Sequence, residues 1–417
     1  MADLHLNPAH AGVHPATLAL HADDPINVVT DVAPPMHLST TFRYSNNPDE
    51  LIPAAELDPT TIPPTTHIYS RESAPNTTRL ETLLRPLLHA HTITYSSGLS
   101  ALHAALIHLN PARIAVSHGY HGSHGVIALL SRLSGLQKIP LDCPATDLQA
   151  GDVVLLETPM NPTGLAYSIE AYAEKAHSRG AYLVVDSTFG PPGLQEPFGL
   201  GADLVVHSGT KYLGGHSDLL CGVVATREEG VARKLLEDRL VLGSVMGGLE
   251  GWLGVRSLRT LGVRVQRQSG SALELVGWVD GVLRGVGGGR GEDDEVVRRV
   301  VESVTHASLQ RDEEGEVPKW LKRQMPNGYG TVFSITLREE RFARVLPTRL
   351  RFFHHATSLG GVESLIEWRA MSDDTVDQRL MRISVGLEHW EDLKADLVRG
   401  MREVLEIVEG EKKGEKA

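Results

Sequence analysis

Short apolar runs alternate with amphipathic stretches across residues 63–255. Thr92-Ile93-Thr94-Tyr95 precedes an Ala/Leu-rich stretch from Leu99 to Leu109. Val153-Val154-Leu155-Leu156 precedes a loop and then a helical pattern from Ala171 to Arg179. Ala181 to Asp186 and Leu204 to Val206 are further apolar runs of strand length. Strands that alternate with helices predict a largely parallel sheet covered by helices. Residues 1–62 read instead as an extended arm, because Pro34-Pro35 and Pro53, with Pro63-Pro64 at its end, keep breaking any helical period. Past residue 256 the pattern predicts a smaller α/β domain that ends in a frayed charged tail, EGEKKGEKA. The expected organisation is therefore an arm (1–62), a large domain (63–255) and a C-terminal domain (256–417). The run from Gly281 to Asp294 lacks the spacing of a dinucleotide fingerprint and follows no strand, so it reads as a surface loop.

At 417 residues the chain can bury a large core in two or three subdomains. Its net charge of −12 argues against a nucleic-acid partner, which would require a basic face. Two cysteines, Cys143 and Cys221, cannot build a disulfide framework, so a reducing compartment is expected. No apolar run approaches the roughly 20 residues of a membrane span. The first residues carry neither a signal-peptide apolar region nor an Arg-rich amphipathic pattern. The expectation is a cytoplasmic protein with no membrane contact.

Candidate chemistry concentrates in Leu204-Val205-Val206-His207-Ser208-Gly209-Thr210-Lys211, followed by Tyr212-Leu213-Gly214-Gly215-His216-Ser217-Asp218. A lysine just past a strand can form a Schiff base with an aldehyde cofactor, and the hydroxyls of Ser208 and Thr210 can hold that cofactor's phosphate. Upstream, the strand that ends at Asp186 places a carboxylate where it could pair with a protonated pyridine nitrogen. Together these imply pyridoxal 5'-phosphate (PLP). Ser97-Gly98-Leu99 lies between a strand and a helix, where glycine allows close approach and free amides favour an anion. His118, His121 and His124 have no cysteine or paired acid beside them, and their spacing fixes no geometry, so no metal is expected.

The segment from Val184 to Asp218 closely resembles the cystathionine γ-synthase/γ-lyase family of PLP enzymes, the Cys/Met metabolism group, and the likeness extends from Pro34 to about Leu397. The resemblance implies a fold-type I PLP-dependent transferase architecture, α/β, with a mostly parallel sheet in the large domain and a smaller C-terminal α/β domain. It also implies that Lys211 holds the cofactor and shuttles protons at the substrate's α and β carbons, while Asp186 keeps the ring nitrogen protonated. Ser97, Gly98 and Leu99 match a Ser-Gly-Met phosphate cradle, with leucine in place of methionine. Tyr120 matches the tyrosine that stacks on the cofactor ring. Asn161, in Glu157-Thr158-Pro159-Met160-Asn161-Pro162, matches an asparagine near the ring oxygen. Tyr69 and Arg71 match a Tyr-x-Arg pair that reaches the cofactor phosphate of a neighbouring subunit. A homodimer or homotetramer with shared sites is thus expected. Ser358 and Arg382 fall in the region that binds the substrate's α-carboxylate.

The chain departs from the family in four places. Ala74-Pro75-Asn76 stands where Asn-Pro-Thr is usual. After Ser364-Leu365-Ile366-Glu367, Trp368-Arg369 and then Met371-Ser372-Asp373-Asp374 replace the usual His-Pro and Met-Thr-His, and the link onward to Arg382 is shorter. Gly125 occupies the place where cystathionine-processing members carry an arginine that meets the distal end of the substrate. The implied activity is elimination or γ-replacement on a sulfur-containing or O-acylated amino acid, cystathionine γ-synthase/γ-lyase-like. The alternatives are a cystathionine β-lyase, a γ-substitution enzyme with another nucleophile, or an inactive PLP-fold binding protein.

Overall fold

Two sheets carry the molecule. The first is built from β1 (His91–Tyr95), β2 (Arg113–Val116), β3 (Gln137–Pro140), β4 (Val153–Glu157), β5 (Tyr182–Asp186), β6 (Leu204–Ser208) and β7 (Gly222–Thr226), in spatial order β1-β7-β6-β5-β4-β2-β3. Only β7 runs against its neighbours; β2 to β6 are parallel. This is a computed structural model, and it describes residues 12–53, 56, 65–286 and 291–414. Pro63 and Pro64, the residues 287–290 of the glycine-rich run and the last three residues of the tail lie outside the described residues.

The central strands read as unbroken apolar runs because both of their faces are covered. Val153 and Leu155 of β4 join one core with Val184, Leu204 and Val206. Val154 and Leu156 join another, on the opposite face, with Leu183, Val185 and Val205. Period-two alternation of side chains thus places successive residues of each strand in two separate cores.

The second sheet comprises β8 (Val301–Thr305), β9 (Val332–Leu337), β10 (His354–His355), β11 (Leu365–Trp368) and β12 (Leu380–Ser384), ordered β10-β11-β12-β9-β8 and antiparallel except for β10 with β11. A 24-residue helix, Leu261–Arg284, connects the two layers. Its Val265 packs into the first sheet's core, whereas Ala272, Leu275, Val276 and Val279 pack into that of the second.

Two expectations need correction. The segment from Gly281 to Asp294 is not simply a loop: it holds the last turn of Leu261–Arg284 and the start of the helix Glu292–Val300. Gly285, at φ 69°, ends the first helix, and four acidic residues (292–295) suit the N-terminal dipole of the second. The charged tail continues as helix to Gly414. Met401, Val404, Leu405 and Val408 bury one face of that helix, and Arg341 grips Glu411 through Nε (2.9 Å) and Nη2 (2.5 Å).

Part of the arm is anchored. Asp23 is fully buried against Arg79 at 2.5 Å, and Trp252 Nε1 donates to the Pro34 carbonyl at 2.8 Å. Beyond these anchors the arm exposes Val28, Val32, Leu38 and Tyr44, each by two thirds or more.

Candidate active site

Glu157, Asp186 and Ser208 are the last residues of β4, β5 and β6, so they emerge side by side at the carboxyl edge of the parallel sheet. That edge is where open α/β sheets bind ligands. A cavity of about 400 Å³ opens there. Its lining gathers Ser97, Gly98, Leu99, Tyr120, Asn161, Asp186, Ser208, Thr210, Lys211, Ser358 and Arg382, eleven of the thirteen residues singled out from the sequence. Tyr69 and Arg71 are not among them. They lie on the surface, with the Arg71 guanidinium 5.0 Å from the centre of the Tyr69 ring.

The anion-binding corner follows from local geometry. The helix Gly98–Leu109 starts at this edge, with Ser97 Oγ accepting from Ser100 N at 3.1 Å. A Cβ on Gly98 would fall 2.8 Å from Ser208 Cβ, so only glycine lets the helix start against β6. Free amides at that helix terminus and the Ser208 hydroxyl form a cradle suited to a phosphate. Thr210 is differently engaged: its hydroxyl accepts from Cys221 N (3.0 Å) and lies 3.3 Å from the Cys221 carbonyl. It therefore braces the turn that carries Lys211.

Lys211 Nζ donates to Ser358 Oγ at 2.8 Å. Burial, and next the nearby Arg382 charge, push its amine down to about 8. Asp186 accepts from Thr188 N at 2.9 Å, and burial raises its carboxyl above the ordinary range. A cation beside Asp186 would offset that cost, which is what a protonated pyridine nitrogen supplies. An amine of lowered pKa, a half-buried acid with no ion-paired cation among the described residues and a glycine-gated helix terminus thus fit PLP.

Glu157 sits inside a quoted motif yet was given no role from the sequence. It accepts from Tyr120 N at 2.8 Å and from Asn161 N at 2.7 Å, and so sets both residues at once. Burial, with the Asp186 charge beside it, raises its carboxyl. Gly122 leaves room for the Tyr120 ring, since a Cβ there would fall 2.5 Å from the ring's Cε1.

The opposite wall comes from the second sheet. Arg382, 5% exposed, donates to Asn161 Oδ1 (3.0 Å) and to the Ser358 carbonyl (2.8 Å), and its Nη2 lies 2.5 Å from Glu367 Oε2. Burial pushes Arg382 down to about 10. Ser358 holds a left-handed backbone (φ 78°), a conformation that costs a non-glycine residue about 1–2 kcal/mol. That conformation accompanies its contacts with both Lys211 and Arg382. Glu367, given no role from the sequence, and Arg369, noted only as a departure, also line the cavity. Glu367 and Arg382 are directly opposite on β11 and β12, a pairing register that composition does not reveal.

The family described as Cys/Met metabolism PLP-dependent enzyme matches residues 16–402. The chain is 30% identical to the cystathionine gamma-lyase of Saccharomyces cerevisiae, over 93% of this chain and 97% of that one. It is 32% identical to the cystathionine beta-lyase of Lactococcus lactis subsp. cremoris, over 80% and 88%. Among solved structures, the cystathionine gamma synthase of Xanthomonas oryzae pv. oryzae, in complex with aminoacrylate and cysteine, superposes with a TM-score of 0.79 at 27% identity, over 94% of this chain and 98% of that one.

Proposed function

We infer the reaction from one premise: the chain belongs to the Cys/Met metabolism PLP-dependent enzyme family. It is a PLP-dependent transsulfuration enzyme, and its finer activity is read here from the cavity. The reading is elimination or γ-replacement on a sulfur-containing or O-acylated amino acid, as in cystathionine γ-synthase and γ-lyase.

One observation carries it. A lysine amine lowered to about 8 lines a single cavity together with a half-buried acid from one sheet and a buried arginine from the other. When bound, the cofactor supplies an electron sink for carbanion charge at the substrate's α carbon. Lys211 holds the cofactor and then moves protons at the α and β carbons, a task suited to a base whose pKa lies near neutrality. Asp186 pairs with the ring nitrogen. Ser97, Gly98, Ser208 and, once its hydroxyl proton turns from the Cys221 carbonyl, Thr210 hold the phosphate, with Leu99 at the first turn of the same helix. Tyr120 covers the ring and Asn161 flanks it, both set by Glu157. Arg382 clamps the α-carboxylate, with Ser358 steering both Arg382 and Lys211.

Tyr69 and Arg71 complete the phosphate site of a second copy of the chain in a homodimer or a pair of dimers. Their exposure away from this chain's own cavity supports that reading, as do the arm's exposed Val32, Leu38 and Tyr44. The division of labour among relatives named as lyases and as a synthase leaves the direction to a product assay. Cystathionine alone, and O-acylhomoserine with cysteine, are incubated separately with the cofactor-loaded protein. The reading expects either cystathionine cleaved at its γ carbon or cystathionine formed from the second mixture. Cleavage at the β carbon alone would favour a β-lyase, and transamination as the main reaction would refute the reading.

A further inference from the structure

Arg369 lies in the turn after β11, is 2% exposed and lines the cavity beside Glu367, Ser372 and Arg382. A guanidinium has five N–H donors. Among the described residues Arg369 makes one hydrogen bond, from Nη1 to Glu367 Oε2 at 3.0 Å. Its Nη2 lies 3.5 Å from Asp373 Oδ2 without a hydrogen bond, and its buried Nε has no partner. Asp373 is held elsewhere, since its Oδ1 accepts from both the amide and the hydroxyl of Thr375 at 3.0 and 2.7 Å. Leaving buried guanidinium donors this poorly satisfied is costly, which makes the Nε–Nη2 edge, held only by the long ion pair to Asp373, a site for an anion.

The surroundings favour a substrate anion over another side chain. Glu367 already bridges two guanidiniums, Arg382 and Arg369, and takes the Ser372 hydroxyl at 2.6 Å. It meets Arg369 at Nη1 and so leaves the far edge unsatisfied. The helix His121–Ser134 contributes His121 to the same cavity, while, against its partial burial, the hydrogen bonds from Thr375, and next the Arg369 charge, lower the Asp373 carboxyl. One turn further along that helix, Gly125 offers open space, with nothing within 4 Å of where its Cβ would be.

We propose that Arg369 is a specificity-determining residue that binds a carboxylate at the distal end of the substrate, opposite the α-carboxylate held by Arg382. The substrate class is then an amino acid with a second, far carboxylate. Nε and Nη2 form a parallel pair of donors that matches a carboxylate bidentately. This rests on the reading above, so the test separates the two.

Two inert ligands, 2-aminopimelate and 2-aminoheptanoate, differ in the distal carboxylate and carry no leaving group. Their binding to the cofactor-loaded protein is followed by the change in the cofactor's absorbance. The expected result is tighter binding of 2-aminopimelate by at least about tenfold, the worth of hydrogen bonds to a charged group. Arg369→Met should collapse that ratio to near one through loss on the 2-aminopimelate side, and Arg369→Lys should retain part of it. No preference in the unmodified protein, or a preference kept in Arg369→Met, overturns the proposal while leaving the catalytic reading intact. Equal weakening of both ligands overturns it in favour of a purely positioning role through Glu367. If neither ligand perturbs the absorbance, the reading of the cavity as an amino-acid site falls too. Should Arg369→Met fail to fold, the ratio in Arg369→Lys decides alone: an unchanged ratio overturns the proposal.

Discussion

The two walls of the cavity are built by different means. On the first sheet, side chains are held by backbone: Asp186 by Thr188 N, Ser97 by Ser100 N, Glu157 by Tyr120 N and Asn161 N. On the second sheet, besides the Ser358 carbonyl and Asn161 Oδ1 that anchor Arg382, charges hold one another: Arg382 and Arg369 share one carboxylate oxygen of Glu367. A backbone-held group keeps its place whatever binds, which suits a resident cofactor. Charges held by charges can trade partners, because an arriving carboxylate can replace Glu367 on Arg382 without unmaking the fold. The first wall is a fixture, and the second is an ion-pair network that a substrate enters.

The largest expected effect breaks the fixture. Lys211→Ala should abolish turnover and the covalent cofactor's visible absorbance while circular dichroism stays unchanged, because among the described residues no other lysine lines the cavity. Mixed with Arg71→Ala, it should regain activity in hybrid dimers, each with one site assembled from intact parts. Full activity in Lys211→Ala alone would overturn the mechanism, and no recovery despite proven subunit exchange would overturn the shared site.

The next effect lies in the network. Arg382→Lys replaces a planar fork with a point charge, so kcat/KM should fall by about 2–4 kcal/mol, with the cofactor still bound. Since every substrate here has an α-carboxylate, the loss should be similar for cystathionine and for O-acetylhomoserine. Unchanged values for both would mean that Arg382 does not bind the α-carboxylate; a loss confined to cystathionine would mean that it reads the distal end.

The same contrast explains what could be read from sequence. The strands β4, β5 and β6 announce themselves as apolar runs, and their terminal Asp186 and Ser208 follow directly, because position along a strand fixes position at the sheet edge. Ser97-Gly98 was legible for the same local reason. Glu367 was not, since its meaning depends on the register that sets it opposite Arg382, a contact between residues 15 apart in sequence and on different strands. Thr210 lines the cavity, but its engagement with Cys221 depends on the residue that leads into β7, eleven positions on. The helical part of the tail was missed because residues 409–417 carry charges and no large apolar side chain, whereas the face that docks this helix, Met401, Val404, Leu405 and Val408, lies just before them.

The smallest expected effect tests whether the network tunes the fixture. Lys211 must be unprotonated to attack the cofactor's aldehyde, and its pKa of about 8 arises first from burial, then from the Arg382 charge, with Glu367 acting in the opposite sense. Below that value the amine is protonated and unreactive; above it the amine is free. Cofactor loading of the stripped protein, followed by stopped-flow absorbance, should therefore accelerate roughly tenfold between one unit below the midpoint and the plateau above it. Arg382→Gln removes a repelling charge, so the midpoint should move up. Glu367→Gln removes an attracting one, so it should move down. A midpoint near the ordinary lysine value would mean that burial does not set this amine, and shifts of the same sign in both variants would mean that the second sheet's charges act on loading through the fold instead of through the field at Lys211.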